Sequence, residues 1–188
     1  MSTLIEQVPG LYSVYKLNLL RQTPGVVFDL FPLDIIDSKI GSIDRVLHES
    51  SAVSPGPVGD VARPWYMHPC QGDNLIVLSG TRHVEIYTPA HGKIESFTVT
   101  PHAVYKNGEL LYEGGALLVW PPYVFHRIVS GQEGSASINI AEHFPGFDID
   151  TNFSIYDLNT ETGEYKVIRK GSDAVSYTHL TLPTNREV

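Results

Sequence analysis

The sequence predicts an all-β fold closed into one small barrel, and three observations carry that expectation. Short β-favouring runs recur at 75–78, 84–87, 97–99, 116–120, 127–129 and 137–140. Turn signals separate them at Ser79-Gly80, Ala90-His91-Gly92, Asn107-Gly108, Gly114-Gly115 and 131–134, the punctuation of a sandwich or barrel. No helical periodicity of useful length interrupts this block, and no internal repeat divides it.

The chain has 188 residues, the size of one domain, and a domain of that length buries roughly 70% of its unfolded surface. A hydrophobic fraction of 42% and an aromatic fraction of 10% suit a soluble globular protein and argue against disorder. The net charge of -8, with no basic run longer than Arg169-Lys170, repels a phosphate backbone and disfavours nucleic acid as a partner. No apolar stretch approaches the roughly 20 residues that cross a bilayer, so no membrane partner is expected. The single cysteine, Cys70, allows no internal disulfide, and residues 1–10 carry no basic-then-apolar leader. A reducing, cytoplasmic setting is therefore expected. A protein that handles a small molecule is the starting expectation.

Residues 1–39 mix apolar runs at 11–20 and 26–33 with Pro9, Pro24 and Pro32. Prolines so placed break helices and suit short strands, a helical turn or a wrapping arm. Residues 43–47 read as a strand, and Ser54-Pro55-Gly56-Pro57 as a turn or exposed loop. At the other end, 153–158 and 165–169 flank a turn at 159–163 and read as a terminal hairpin that extends the sheet or pairs with a second subunit. The chain thus divides into an arm with the first strands (1–60), a barrel core (61–145) and a hairpin extension (146–174). From Val175 the run Val-Ser-Tyr-Thr-His-Leu-Thr-Leu-Pro-Thr resembles, over ten consecutive residues, the translation of a transposon-end adapter used to prepare DNA sequencing libraries. Residues 175–188 are accordingly expected to be a non-native tail, which removes His179 from the site search.

Two blocks carry the chemistry. In His68-Pro69-Cys70-Gln71-Gly72-Asp73 and the run that follows, the strand period places Asp73, Leu75, Val77 and Ser79 on one face. A turn over 69–72 lets His68 and Asp73 converge from neighbouring strand ends. The second block, 115–126, is a buried strand, a turn stiffened by Pro121-Pro122, and His126 at the start of the next strand.

These blocks resemble the two motifs of the cupin superfamily, the RmlC-like jelly-roll barrel or double-stranded β-helix. On the first motif, His68 takes the place of the second histidine of a His-x-His pair, Asp73 that of a glutamate and Gly80 that of the closing glycine. On the second, Gly115, Pro121 and His126 match at the family's spacing. The likeness spans 64–130. Four positions depart from the pattern: Tyr66 stands for the first histidine, Asp73 for the glutamate, Tyr123 for a glycine and Ser130 for an asparagine. The resemblance implies a ligand set reduced to His68, Asp73 and His126. Two histidines and one carboxylate hold non-haem Fe(II), and the same donors accept Zn, Mn or Ni. A homodimer formed through sheet edges or the terminal hairpin is also implied.

Each candidate has a plainer reading. Asp73 faces the pocket or caps the turn after Gly72. Tyr66 is an acid/base or an interior wall. Gln71 and Cys70 line the mouth or sit on a surface turn. Arg82 and Glu85 fix a polar substrate or face solvent, because the register after Gly80 is open. Trp65, Trp120 and Phe125 are expected in the core, and His48, His83, His91, His102 and His143 as satisfied polar residues. Three functions follow. The leading one is a metal-dependent enzyme of oxygenase or isomerase type acting on a small polar molecule. Another is a metal-free sugar-nucleotide epimerase or ketoisomerase with His68 as base and Tyr66 or Tyr123 as acid. The last is a binding cupin without activity.

Overall fold

The computed structural model describes residues 3–175. Residues 176–188, nearly all of the segment set aside as a tail and His179 with it, lie outside the described residues. The all-β expectation holds. In chain order the strands are β1 (Leu4–Val8), β2 (Tyr12–Lys16), β3 (Asn18–Thr23), β4 (Val26–Leu30) and β5 (Lys39–His48). Then come β6 (Val53–Ser54), β7 (Trp65–Tyr66), β8 (Gln71–Tyr87), β9 (Glu95–Val99), β10 (Ala103–Lys106) and β11 (Glu109–Glu113). The series ends with β12 (Ala116–Trp120), β13 (Phe125–His143), the one-turn helix α1 (Ile149–Asn152), β14 (Ile155–Leu158), β15 (Tyr165–Arg169) and the short α2 (Gly171–Val175).

Among the described residues, thirteen strands join one antiparallel sheet, and β3 and β4 form a separate pair. Its hubs are the two longest strands. β8 pairs with β12, β9 and β13, while β13 pairs with β8, β5, β6 and β7. The proline-bearing N-terminal region enters this sheet: β1 and β2 attach through β12, and β5 runs along β13. The terminal hairpin extends it, with Ile155 opposite Tyr66 on β7. One apolar core gathers Leu75, Val77, Val84, Ile86, Phe97 and Leu118, and a second gathers Trp65, Tyr87, Phe125 and Tyr156. Among the described residues no helix is long and apolar enough to cross a membrane.

The glycine signals at Ser79-Gly80 and 131–134 mark no chain reversal. β8 and β13 each run straight through them as one long bent strand. The two bends face each other, Gly80 opposite Ser135, with Gly80 at φ 70° and Gly134 at φ 75°. Register slips beside the bend, where Ser79 and Val77 oppose the consecutive residues Ala136 and Ser137. That extra residue is a bulge, and a bulge changes which face a period-two strand turns inward. Before it Asp73, Leu75 and Val77 are buried; after it Arg82, Val84 and Ile86 are. Ser79, expected on the Asp73 face, is exposed instead.

A Cβ on Gly80 would lie 2.1 Å from the Gly134 carbonyl oxygen, and the positive φ disfavours any side chain there. Gly80→Ala is expected to destabilise the fold by more than about 1 kcal/mol, read as a lower denaturation midpoint. An unchanged midpoint would mean that the bend relaxes freely.

Candidate metal and ligand site in the barrel cavity

A cavity of about 430 Å³ opens between the strands, within the roughly 300–1,000 Å³ usual for ligand pockets. His68 reaches it from the turn between β7 and β8, Asp73 from the start of β8 and His126 from the start of β13. Strand register brings them together: Asp73 sits opposite Trp120, and His126 opposite Tyr66, two residues before His68. One ligand atom from each lies within 4.8 Å of the other two, and all three residues are buried.

Hydrogen bonds set the chemistry of these atoms. A carbonyl oxygen only accepts, so a ring nitrogen facing one carries the proton. His68 Nδ1 donates to the Asn152 carbonyl at 2.5 Å, and His126 Nδ1 donates to the Val124 carbonyl at 3.1 Å. In the neutral rings both Nε2 atoms therefore present lone pairs to the cavity. Asp73 Oδ1 accepts from Gln71 Nε2 at 2.8 Å and from Asn139 Nδ2 at 2.7 Å. Asp73 Oδ2 is buried without a hydrogen-bond partner and lies 3.8 Å from His68 Nε2. Burial, then the charge of His68, push the His126 imidazolium well below its ordinary range, more than Asp73 and the Val124 carbonyl raise it. His126 is thus a neutral base at neutral pH. Three lone pairs meet with no donor among them, an arrangement that costs free energy until a cation or a proton enters.

The donor set fits a divalent metal: two neutral imidazole nitrogens and one carboxylate oxygen, each oriented by a bond on its far side. Asp73, although one methylene shorter than glutamate, still delivers its free oxygen to the cluster. Gln71 is buried against the cavity rather than on a surface turn, and Asn152 Nδ2 holds its Oε1 at 3.1 Å. The Tyr66 ring centroid is 5.8 Å from that of His126 and 6.1 Å from that of His68. Trp120 packs in the core and also lines the cavity, whereas Trp65 and Phe125 only pack.

The expected pocket role of Tyr123 is corrected. Its backbone adopts φ 67°, standing where the resemblance expects glycine. The side chain is 63% exposed and outside the cavity. Its N–H bonds the His68 carbonyl at 2.9 Å. The bulge settles the other open positions: Arg82 turns into the cavity, while Glu85 turns out to pair with Arg127 and Arg63. Cys70 lies off the cavity, with its N–H on Asn152 Oδ1. His83, His91 and His143 have ordinary partners in Thr98, Glu95 and Phe147, and His102 is exposed.

Two residues of the cavity wall, Asn139 and His48, and one behind it, Asn152, are not among the site residues that the sequence predicts. The expectation that His48 is a satisfied polar residue is corrected: it lines the cavity, with Nδ1 buried and unpartnered. Asn139 stands in an apolar strand run, where an amide on the Ser137 face was the available signal. Asn152 closes α1, whose cap is Asp148, its carboxylate accepting from the Asp150 N–H.

No protein-family model matches the sequence, and no curated protein matches it. Solved structures share the fold. The sugar 3,4-ketoisomerase QdtA from Thermoanaerobacterium thermosaccharolyticum, in complex with TDP, superposes with a TM-score of 0.53 at 12% identity, covering 76% of this chain and 85% of that one. A dTDP sugar isomerase from Desulfovibrio desulfuricans gives 0.53 at 20% identity over 76% and 83%. At these identities the likeness establishes the cupin-type barrel and nothing finer.

Tyr123→Gly should relieve a left-handed backbone costing about 1 kcal/mol, partly offset by glycine entropy. The expected outcome is a slightly higher midpoint with unchanged metal and ligand binding. A loss of binding would return Tyr123 to the pocket.

Proposed function

We propose that the cavity is the active site of a small-molecule enzyme that holds one divalent metal ion on His68 Nε2, Asp73 Oδ2 and His126 Nε2. Isomerase-type chemistry on a polar substrate is favoured over oxygenase chemistry by the sugar isomerases that share the fold. The observation that carries the reading is the convergence of one ligand atom from each of three buried residues within 4.8 Å, with Asp73 Oδ2 among them buried and without a hydrogen-bond partner. When bound, such an ion polarises a substrate oxygen or opens positions to dioxygen. The protein's part is preorganisation. The Asn152 and Val124 carbonyls hold both imidazoles in the ligating tautomer, and Gln71 and Asn139 leave one carboxylate oxygen free. Trp120 and Phe153 flank the rings and screen them from water.

A second reading, a metal-free sugar-nucleotide ketoisomerase or epimerase, draws on the same neighbours. There His68 Nε2 would take a proton beside the substrate carbonyl, and the Tyr66 hydroxyl would return one. Tyr123 is too far outside to share the role. Protein purified without an affinity-metal column separates the two. About one equivalent of a divalent transition metal is expected, falling below roughly a tenth in Asp73→Ala and His126→Ala. A metal-poor wild type that takes up none, yet exchanges deuterium into a deoxysugar nucleotide through His68, would replace the first reading by the second.

We also propose that the chain forms a homodimer through β3 and β4. Among the described residues this pair has no third strand, and it exposes Leu19, Leu20, Val26, Val27 and Phe28, whereas an isolated two-stranded hairpin is marginal in water. Homodimer interfaces are the apolar kind that such a surface matches. Light scattering is expected to give twice the chain mass, and Val27→Lys with Phe28→Lys to halve it. A monomeric wild type would overturn the proposal.

A further inference from the structure

The mechanism above leaves the other end of the cavity unused. Arg82 lines it and is 2% exposed. A guanidinium has five N–H donors. Here Nε donates to Ser135 Oγ at 3.2 Å and a terminal nitrogen to the Val46 carbonyl at 3.3 Å. Both acceptors are neutral. Among the described residues Arg82 makes no ion pair with any carboxylate. Burial lowers it to about 10, so the group stays charged at neutral pH, and an uncompensated buried charge is costly. His48 stands beside it, opposite Ser135 in register, with Nδ1 buried and unpartnered. Arg169, on the same cavity wall, also has a buried Nε without an acceptor among the described residues.

The cavity therefore has two poles. Lone pairs gather at His68, Asp73 and His126, and at the other end the Arg82 guanidinium, bonded to neutral acceptors only, lies beside the unpartnered His48 Nδ1. Ser130, the residue opposite Arg82, lies four residues beyond His126 on β13. At the usual strand rise that is about 13 Å of backbone, a span that the arginine side chain shortens. Val46, Leu75 and Ile128 line the wall.

We propose that Arg82 is the anion-binding residue of the cavity and that the ligand is a small aliphatic carboxylic acid, its carboxylate on Arg82 and an oxygen function at the far end facing the His68–Asp73–His126 cluster. The assignment deepens the active-site reading above and rests on it for the far end alone. A carboxylate suits the site better than a phosphate. Its two oxygens match the guanidinium fork, its alkyl chain matches Val46, Leu75 and Ile128, and its single negative charge is repelled less than a dianion by the Asp44 and Asp73 carboxylates of the same wall.

The test uses the full chain in EDTA with butyrate, hexanoate and octanoate as probes, the neutral primary amides of the same lengths as controls, and inorganic phosphate. Binding is read by calorimetry and by the thermal shift that a ligand selective for the folded state produces. Wild type is expected to bind at least one of these acids at least tenfold more tightly than its amide. Arg82→Met should lose that preference while keeping its uptake of cobalt in EDTA-free buffer, and Arg82→Lys should recover part of it. Equal binding of acids and amides by wild type, retention of the preference in Arg82→Met, or phosphate bound more tightly than every acid would each overturn the proposal. The acid-against-amide comparison in wild type decides the matter even if Arg82→Met fails to fold. Cobalt uptake is measured separately, so a failed metal centre and a failed anion pole give different results.

Discussion

Strands β8 and β13 pair on both sides of a shared bend, and this interrupted ladder positions nearly everything that the cavity contains. Below the bend the ladder runs from Gln71 opposite His143 to Val77 opposite Ser137; above it, from Arg82 opposite Ser130 to Tyr87 opposite Phe125. A strand without a bulge would keep one parity throughout, and with Asp73 inward Arg82 would then face solvent. The extra residue beside Gly80 reverses the parity, so one strand delivers a carboxylate to one end of the cavity and a guanidinium to the other. A Cβ on Gly80 would strike the Gly134 carbonyl and one on Gly134 the His48 carbonyl, and both residues sit at positive φ, which explains why both bends use glycine.

On that scaffold, amide side chains and backbone carbonyls decide what the ionisable groups can do. Asn152 acts three times: its carbonyl orients His68, its Oδ1 takes the Cys70 N–H and its Nδ2 fixes Gln71, which in turn holds Asp73. The chain of bonds saturates every outward-facing polar atom of the cluster and leaves the inward-facing ones bare. A buried unsatisfied polar group costs roughly 1–3 kcal/mol, and more when charged. A fold that merely tolerated this cluster would have turned at least one donor towards it. The same reasoning applies to Arg82, whose protein partners are neutral acceptors only.

The barrel and its two histidines were legible because both rest on local pattern: short β runs between turn residues, and motif blocks whose spacing survives substitution. Glycine was the ambiguous signal. Ser79-Gly80 reads equally well as a chain reversal or as a bulge inside a continuous strand, and only the long-range partner on β13 decides which. The fate of Arg82, Glu85 and Ser79 hung on that choice, so their orientation could not be read locally. Tyr123 misled for a different reason. Its spacing to His126 is that of the motif, but a side chain at positive φ in a turn points away from the space that a glycine there leaves open. Asn152 carried no signal at all, since it meets His68 across 84 residues from a one-turn helix whose only mark is the capping Asp148.

The choice between a metal-held and a metal-free site reduces to how three bases share their environment. A single proton can satisfy one pair of them, bridging His68 Nε2 and Asp73 Oδ2 if their 3.8 Å separation closes. It would still leave His126 Nε2 facing the cavity bare, because burial keeps His126 unprotonated. A divalent cation held by His68, Asp73 and His126 would satisfy all three lone pairs at once and would offset the negative charge of Asp73. An oxygen-bearing substrate end would then be attracted to the cluster while Arg82 held its carboxylate, and both ends of the cavity would favour the same molecule. Without the cation, the Asp73 end repels any anionic oxygen that Arg82 brings towards it.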